Sequence, residues 1–387
     1  MAYDKVVDSA ALDSALTDIA DAIRTKTGGT DSLTLEQMPR EIEGIETGKM
    51  GKPYVDTSKI TNFGTIFQDN NFPVDELQNI DTKNVTKFNY MFSGCSTLTT
   101  IPLLDTSNGT SFQNMFSSCS ALTTIPLLDT SNGTNFEYMF NYCSKLTTIP
   151  LLDTSNGTSF NAMFQGCSRL TAIPLLDTSN GTKFDYMFGS CSALTTIPLM
   201  DTSNGTSFRA MFTGCSALTT IPLLDTSNGT IFADMFYRCP ALTTIPLLDT
   251  SNGTDFSGMF QYCSSLTKVP LLDMSKATDC EAIFYNCTNL TDLTIKVNSL
   301  KPNYYMFDYC SALTNVTIEG TIKITNNSFR IDYSDNLTVE SIMNFINAFE
   351  DNSSLSTTYT VYFGKTNLDK LTDEQKAVAT AKNIALA

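Results

Sequence analysis

Eleven cysteines and no histidine set the limits on the chemistry this 387-residue chain can do. Thiolates ligate metals, act as nucleophiles or join as disulfides. Eight of them, Cys95, Cys119, Cys143, Cys167, Cys191, Cys215, Cys239 and Cys263, stand 24 residues apart, Cys287 continues the series, and Cys310 closes it one residue early. The array holds no Cys-x-x-Cys pair. With no Walker loop, G-x-S-x-G or H-E-x-x-H in the chain either, zinc, kinase and hydrolase readings lack their parts. We expect no enzyme, no metal and no cofactor. A disulfide framework fits poorly as well, because the count is odd and stacked equivalents would lie about 4.8 Å apart with parallel Cβ vectors. Buried thiols made in a reducing compartment are the expectation. The aspartates Asp105, Asp129, Asp153, Asp177, Asp201, Asp225 and Asp249 form a second series. Stacked carboxylates repel unless something compensates, so calcium is one reading; a local turn cap, accepting backbone N–H groups without an ion, is the preferred one.

Comparison between copies of the repeat singles out further positions. The residue pairs flanking Met-Phe change freely, as in Gln113-Asn114, Glu137-Tyr138 and Asp185-Tyr186, whereas the rest of the unit barely changes. Candidate ligand contacts there are Tyr90, Tyr138, Tyr142, Tyr186, Arg209, Tyr237, Arg238 and Tyr262, residue types enriched at interface hot spots. Drift on a solvated face is the competing explanation. An alternative binding face is the regular array Thr100, Thr124, Thr148, Thr196, Thr220 and Thr244, which suits a periodic ligand such as a cell-wall glycan or ice. Recent duplication of one unit accounts for the same regularity.

These side chains must be positioned by the repeat itself. A fixed period of this size means a supersecondary unit that buries its apolar face only by stacking on its neighbours. In the unit Phe112 to Leu128, the residues Phe112, Met115, Phe116 and Cys119 fall at i, i+3, i+4 and i+7, the spacing of one helical face. Leu122, Ile125 and Leu127 follow as L-x-x-I-x-L, read as an inward-facing strand. Asp129 to Thr134 supplies a turn in which Asn132-Gly133 tolerates positive φ. A proline recurs between the Ile and Leu positions, as at Pro126, and shortens the paired stretch to about two to four residues.

The formal charge of −16 opposes binding to nucleic acid or anionic lipid. No run of 18 apolar residues is present, so membrane insertion is not expected. The start lacks the basic and apolar regions of a signal peptide, and the repeated Asn-Gly-Thr triplets therefore read as turns rather than glycosylation sites. Residues 1–48 do not share the repeat. Leu12, Ala15, Leu16, Ile19 and Ile23 trace an amphipathic helix ending at Gly28-Gly29, followed by a second, shorter one. We divide the chain into a helical attachment module at 1–48, a solenoid at 53–320 whose degenerate first turn is Asp56 to Phe67, and a capping segment at 321–387. That cap is expected to hold strands at TIKIT and TTYTVYF, a helix around Ile342 and Phe345, and a last helix from Thr372 with Gln375 in capping-box register.

The pattern F-x-x-M-F-x-x-C-S-x-L-T-x-I, seen in Phe136 to Ile149, resembles the BspA-like leucine-rich repeats of bacterial surface proteins over roughly residues 56–320. The string ALTDIADAIRTKTGGTDSLTLEQMPREIEGI looks like a short module at the start of tail-associated proteins in phages and prophages of Gram-positive bacteria. NLDKLTDEQKAVATAKNIALA is similar to the end segment of that group, although that segment more often has an aromatic residue where Ile384 stands. The resemblance implies an α/β solenoid with short parallel strands on one side and short helices on the other. It also implies a non-enzymatic adhesion protein on a virion tail or bacterial cell surface. Its partners would be a bacterial surface glycan or protein, and a tail or surface assembly held through residues 1–48. A structural spacer that recognises nothing, or a surface adhesin of another kind, is the alternative.

Overall fold

The computed structural model describes residues 59–69, 80–302, 305–324 and 329–387; the expected helices of residues 1–48 and the linker after them lie outside these. Within the described residues the chain divides into two compact units, the first ending at Cys167 and the second running Ser168–Ala387. Both are stacks of 24-residue layers. In the first unit single parallel bridges join Asn62, Lys87, Ser111, Asn135 and Ser159 in turn, so the layer at residue 62 stacks on the next as the later ones do. In the second, bridges join Lys183, Ser207, Ile231, Asp255 and Asp279 in the same way.

Two phenylalanines per layer build the core. In the first unit Phe88, Phe112, Phe136 and Phe160 form one column and Phe92, Phe116, Phe140 and Phe164 another, with successive ring centroids 5.5–5.9 Å apart and nearly parallel planes. The second unit repeats both columns, one of them reaching Phe284 and Phe307. Each ring is fully buried, worth roughly 1.5–3 kcal/mol on transfer from water. Glycine follows from that packing. A Cβ on Gly133 would sit 2.7 Å from the Phe136 ring and 2.9 Å from that of Phe112. Gly133 is not among the residues with positive φ, so the Asn-Gly turn uses glycine for space and not for left-handed backbone.

The side expected to be helical contains no helix in any described repeat; it is a run of consecutive β-turns. Met115, Ser117 and Cys119 donate their N–H groups back three residues, to Phe112, Asn114 and Phe116. The intervening N–H groups of Phe112, Asn114, Phe116 and Ser118 donate to Asn135, Glu137, Met139 and Asn141 of the next layer. An α-helix spends every N–H within itself; here every second one is spent on the neighbour. Asn114 and Ser118 pay for the alternation by taking φ of 56° and 63°.

On the opposite side, Leu122 and Ile125 face inward as expected, but the third inward residue is Leu128, and Leu127 is 64% exposed. The inward positions thus recur every third residue, as in a backbone of three residues per turn, which proline favours. Pairing there is a single backbone bond per layer, Thr123 N–H to the Thr99 carbonyl, to which the Thr123 hydroxyl adds a second at 3.1 Å. Continuous strands form only late in the second unit: β1 (Lys268–Met274), β2 (Asp292–Leu300) and β3 (Asn315–Ile322) make a parallel sheet in that order.

The threonine ladder continues past residue 320, where Thr338 N–H reaches the Thr314 carbonyl and then caps helix α1 (Val339–Ala348) by accepting from Ser341 N–H. Ile342, Phe345 and Ile346 bury the inner face of that helix. Strand β4 (Tyr359–Val361), the single-turn helix α2 (Lys365–Leu368), helix α3 (Asp373–Ala381) and strand β5 (Ile384–Leu386) complete the chain, β4 and β5 pairing in parallel. Thr372 and Gln375 form the reciprocal capping box anticipated for α3.

Candidate binding site

The recurring cysteines and aspartates have structural partners. All eleven cysteines are buried thiols outside any disulfide. Cys119 Sγ lies 3.0 Å from the carbonyl oxygen of Phe92 in the preceding layer, and Cys143, Cys215 and Cys263 repeat the contact. Burial pushes these thiols up, Cys239 to about 12, away from nucleophilic reactivity. Each repeat aspartate is a turn cap: Asp129 Oδ1 accepts from Ser131 N–H at 3.1 Å and from its hydroxyl at 2.7 Å. The Ser131 hydroxyl, then its N–H, holds the Asp129 carboxyl below the usual carboxylate range.

The variable pairs carry the surface features. The second residue of each pair adopts the left-handed conformation, at Tyr90, Tyr138, Tyr142, Tyr186, Arg238, Tyr262 and Tyr309 among others. Left-handed backbone costs a non-glycine residue about 1–2 kcal/mol. Gly94, Gly166, Gly214 and Gly258 fill equivalent positions in other layers without that cost. The bulky side chains are therefore retained against a local backbone preference.

In the second unit the tyrosines meet. Tyr237 and Tyr262 have ring centroids 5.9 Å apart, edge to face, and Tyr262 continues to Tyr285 at 5.4 Å. Tyr285 touches Tyr305 at 6.2 Å and Tyr309 at 5.5 Å, and Tyr309 reaches Tyr333 at 4.6 Å. The Arg238 guanidinium lies 5.2 Å from the Tyr237 centroid and 5.5 Å from that of Tyr262. Tyr305, Tyr309 and Tyr333 are each two-fifths to one-half exposed. Burial, then neighbouring Tyr262 and Tyr309, raises the Tyr285 hydroxyl above its ordinary value. A cleft of about 490 Å³ opens beside this ridge, lined by Asp234, Gln261, Tyr262, Glu281 and Tyr285. Another of about 540 Å³, lined by Arg238, Pro240, Tyr262 and Asn286, shares Tyr262 with it. The two differ in charge, one acidic and one bearing a guanidinium.

Of the sequence-derived candidates, Tyr237, Arg238 and Tyr262 come together in this ridge. Arg209 is committed to an ion pair with Asp255 at 2.9 Å. Tyr186 is half-buried. In the first unit Tyr138 Oη accepts from Asn161 Nδ2 at 3.3 Å. Tyr142, 54% exposed, lies over Gly166, where a Cβ would be 2.5 Å from its ring, and Tyr90 is 37% exposed. Thr100, Thr124, Thr148, Thr196, Thr220 and Thr244 all face solvent, while their neighbours of the Thr123 series are spent on the ladder. Sequence reasoning missed Tyr285, Tyr305, Tyr309 and Tyr333. The signal was present: carried through the short final repeat, the register puts Tyr309 before Cys310 and Tyr333 before Ser334, where Tyr262 stands before Cys263.

Stacked 24-residue layers with inward Phe, Cys, Leu and Ile columns define a leucine-rich-repeat solenoid of the BspA-like type. The chain belongs to the family DUF285, described as a Mycoplasma protein of unknown function, whose profile matches residues 35–149, 110–221, 144–246 and 206–320. No curated protein matches it. Among solved structures it is similar to a leucine-rich repeat protein from Bacteroides ovatus, at 22% identity over 66% of this chain and 77% of that one, with a TM-score of 0.40. A leucine-rich cell surface protein from Faecalibacterium prausnitzii follows at 23% identity, 62% and 78% coverage and a TM-score of 0.33. An internalin from Listeria monocytogenes is 13% identical over 92% and 93%, with a TM-score of 0.29. At such identities the likeness reaches the repeat and says nothing of ligands.

Proposed function

We propose that the chain is a non-enzymatic binding protein that engages a bacterial cell-surface glycan or protein through the tyrosine ridge of residues 237–333. The carrying observation is the unbroken chain of ring contacts from Tyr237 to Tyr333, part-exposed and flanked by clefts of unlike charge. Tyrosine offers large rigid contact area at low entropic cost with a polar tip for hydrogen bonding. Residues that keep such side chains at left-handed positions maintain strain of the kind found at ligand-contacting sites. Residues 1–48, by their resemblance to tail-associated modules, attach the chain to a larger assembly, a phage or prophage tail or a surface layer.

The combined variant Tyr262→Ala, Tyr309→Ala and Tyr333→Ala keeps a Cβ at each position and so leaves the backbone cost in place. We expect it to lose at least about tenfold in affinity for host cells or purified wall polysaccharide while melting as a folded protein. Unchanged binding moves recognition to the threonine face. No saturable binding by the wild-type chain to any candidate surface leaves the spacer role standing instead. Attachment is tested separately: a chain lacking residues 1–48 that still enters the particle at the wild-type level refutes that part.

A further inference from the structure

We propose that the exposed leucine column, with the aspartate row beside it, is a docking groove for a basic amphipathic α-helix of a partner protein, laid along the repeats at one helical turn per layer. In the first unit Leu103, Leu127 and Leu151 are 77%, 64% and 62% exposed. With Asp105, Asp129 and Asp153 they line a groove of about 840 Å³, which no lysine or arginine among the described residues lines. The second unit repeats the column at Leu175, Leu199, Leu223 and Leu247, each 60–62% exposed. Contiguous apolar strips of this kind are uncommon on a surface that has no partner.

The core does not demand these leucines. The buried Leu128 series admits a methionine at Met200, whereas the exposed series is leucine in every layer from Leu103 to Leu271. The acidic side is equally regular. Asp129 and Asp153 spend Oδ1 on their own turn serines, and those bonds favour the ionised form. The row thus presents negative charge next to an apolar strip. In a chain of net charge −16 this disfavours a second copy as occupant and favours a cationic one.

Spacing selects the conformation of that occupant. The leucine column lies on the threonine-ladder side, where a backbone hydrogen bond such as Thr123 N–H to the Thr99 carbonyl joins each layer to the next, so its layers step by the spacing of paired strands, about 4.8 Å. An α-helix rises about 5.4 Å per turn, so residues at i, i+3 or i+4, and i+7 drift from the leucines by only about 0.6 Å per layer. Same-face residues of a strand recur about every 6.7 Å and drift by about 1.9 Å per layer. A helix with an apolar stripe flanked by lysine or arginine meets both rows at once, the helix-in-groove mode of recognition.

The probe is a labelled synthetic peptide of about 18 residues with leucines at helical spacing and lysines on both flanks, titrated into the full chain by fluorescence anisotropy. We expect it to bind at least about tenfold more tightly than a strictly alternating Leu-Lys peptide, and a version with glutamate for lysine not to bind. Because both units carry the column, one variant replaces Leu127, Leu151, Leu199 and Leu223 together by Ser and should lose at least about tenfold. A second replaces Asp129, Asp153, Asp201 and Asp225 together by Asn, which keeps the turn acceptor. It should lose several-fold and flatten the salt dependence. Equal binding of helical and alternating peptides, binding of the glutamate peptide, or wild-type affinity in the leucine variant overturns the proposal. If the leucine variant does not fold, wild-type affinity and salt dependence in the asparagine variant overturn it alone. The tyrosine ridge takes no part, so its failure leaves this result standing.

Discussion

The proline-bearing layers up to β1 and the proline-free layers of β2 and β3 are variants of one unit with opposite outcomes at one position. Leu271, eight residues after Cys263, is 37% exposed, and its counterparts in earlier layers are exposed further. Ile295, eight residues after Cys287, is fully buried. Between the cysteine and that residue the second repeat has Thr294 where the first has Pro270. With proline, the inward positions recur every third residue, and between two proline-bearing layers pairing falls to one backbone bond, as from Thr123 N–H to the Thr99 carbonyl. Without it, Leu293, Ile295 and Val297 alternate inward along β2, whose pairing with β3 runs unbroken from Asp292 to Val297. The β1–β2 register slips at Val269/Leu272, around the proline itself. A residue that donates no hydrogen bond and holds φ near −65° thus decides whether the position eight after the cysteine faces out, as Leu271 does, or in, as Ile295 does.

Four measurements test this contrast. Both regions share the phenylalanine columns, so Phe212→Ala and Phe284→Ala should each cost about 3–5 kcal/mol in chemical denaturation; clearly unequal losses would mean the layers do not share one kind of core. Thr294→Pro removes a donor from the central strand of the three-stranded sheet and should cost about 1–3 kcal/mol, with amide protection lost along β2 and β3. Retained protection there would show that proline is not what interrupts pairing.

The third measurement is acid unfolding. Asp129, Asp153, Asp201 and Asp225 have folded pKa values lowered by their turn serines. Their contribution is fully present above the unfolded carboxyl value of about 3.9 and is lost as pH falls through the lower folded values. β2 carries one such carboxyl, Asp292, lowered chiefly by the Thr291 hydroxyl, against one in each of several proline-bearing layers. Hydrogen exchange should therefore rise more across those layers on acidification, and a larger rise in β2 and β3 would contradict the assignment. The smallest effect belongs to Pro270→Thr, expected to change stability by less than about 1 kcal/mol while adding amide protection at Leu271 and Leu272. No new protection would locate the register slip elsewhere.

Several parts of the fold were legible before any coordinates. The turn-cap role of the aspartates, the buried thiols, helix α1 and the capping box of α3 depend on contacts within a few residues, or on a pattern with one physical solution. The helix expected at Phe112 to Cys119 had two solutions. Inward residues at i, i+3, i+4 and i+7 suit either an α-helix or a run of β-turns, and the choice turns on where alternate N–H groups find acceptors. L-x-x-I-x-L suits a strand with Leu127 inward, but Pro126 stands inside it and turns Leu127 out and Leu128 in. Tyr237, Arg238 and Tyr262 stand out by their departure from the repeat; Tyr285 and Tyr309 occupy the same variable positions after Phe284 and Phe307, and Tyr333 is hidden because Ser334 stands where the cysteine would be.

The sequence by itself determined the period, the identity of the inward columns and the residues that break the repetition, since each follows from spacing and side-chain type. The tertiary structure alone decided that the Phe-Met-Phe side is a chain of turns, that glycine is required by two neighbouring rings, that Leu127 faces solvent, and that tyrosines from separate layers form one ridge. These outcomes depend on the adjacent layer, which supplies the carbonyls, the ring faces and the side-chain neighbours that no single repeat contains.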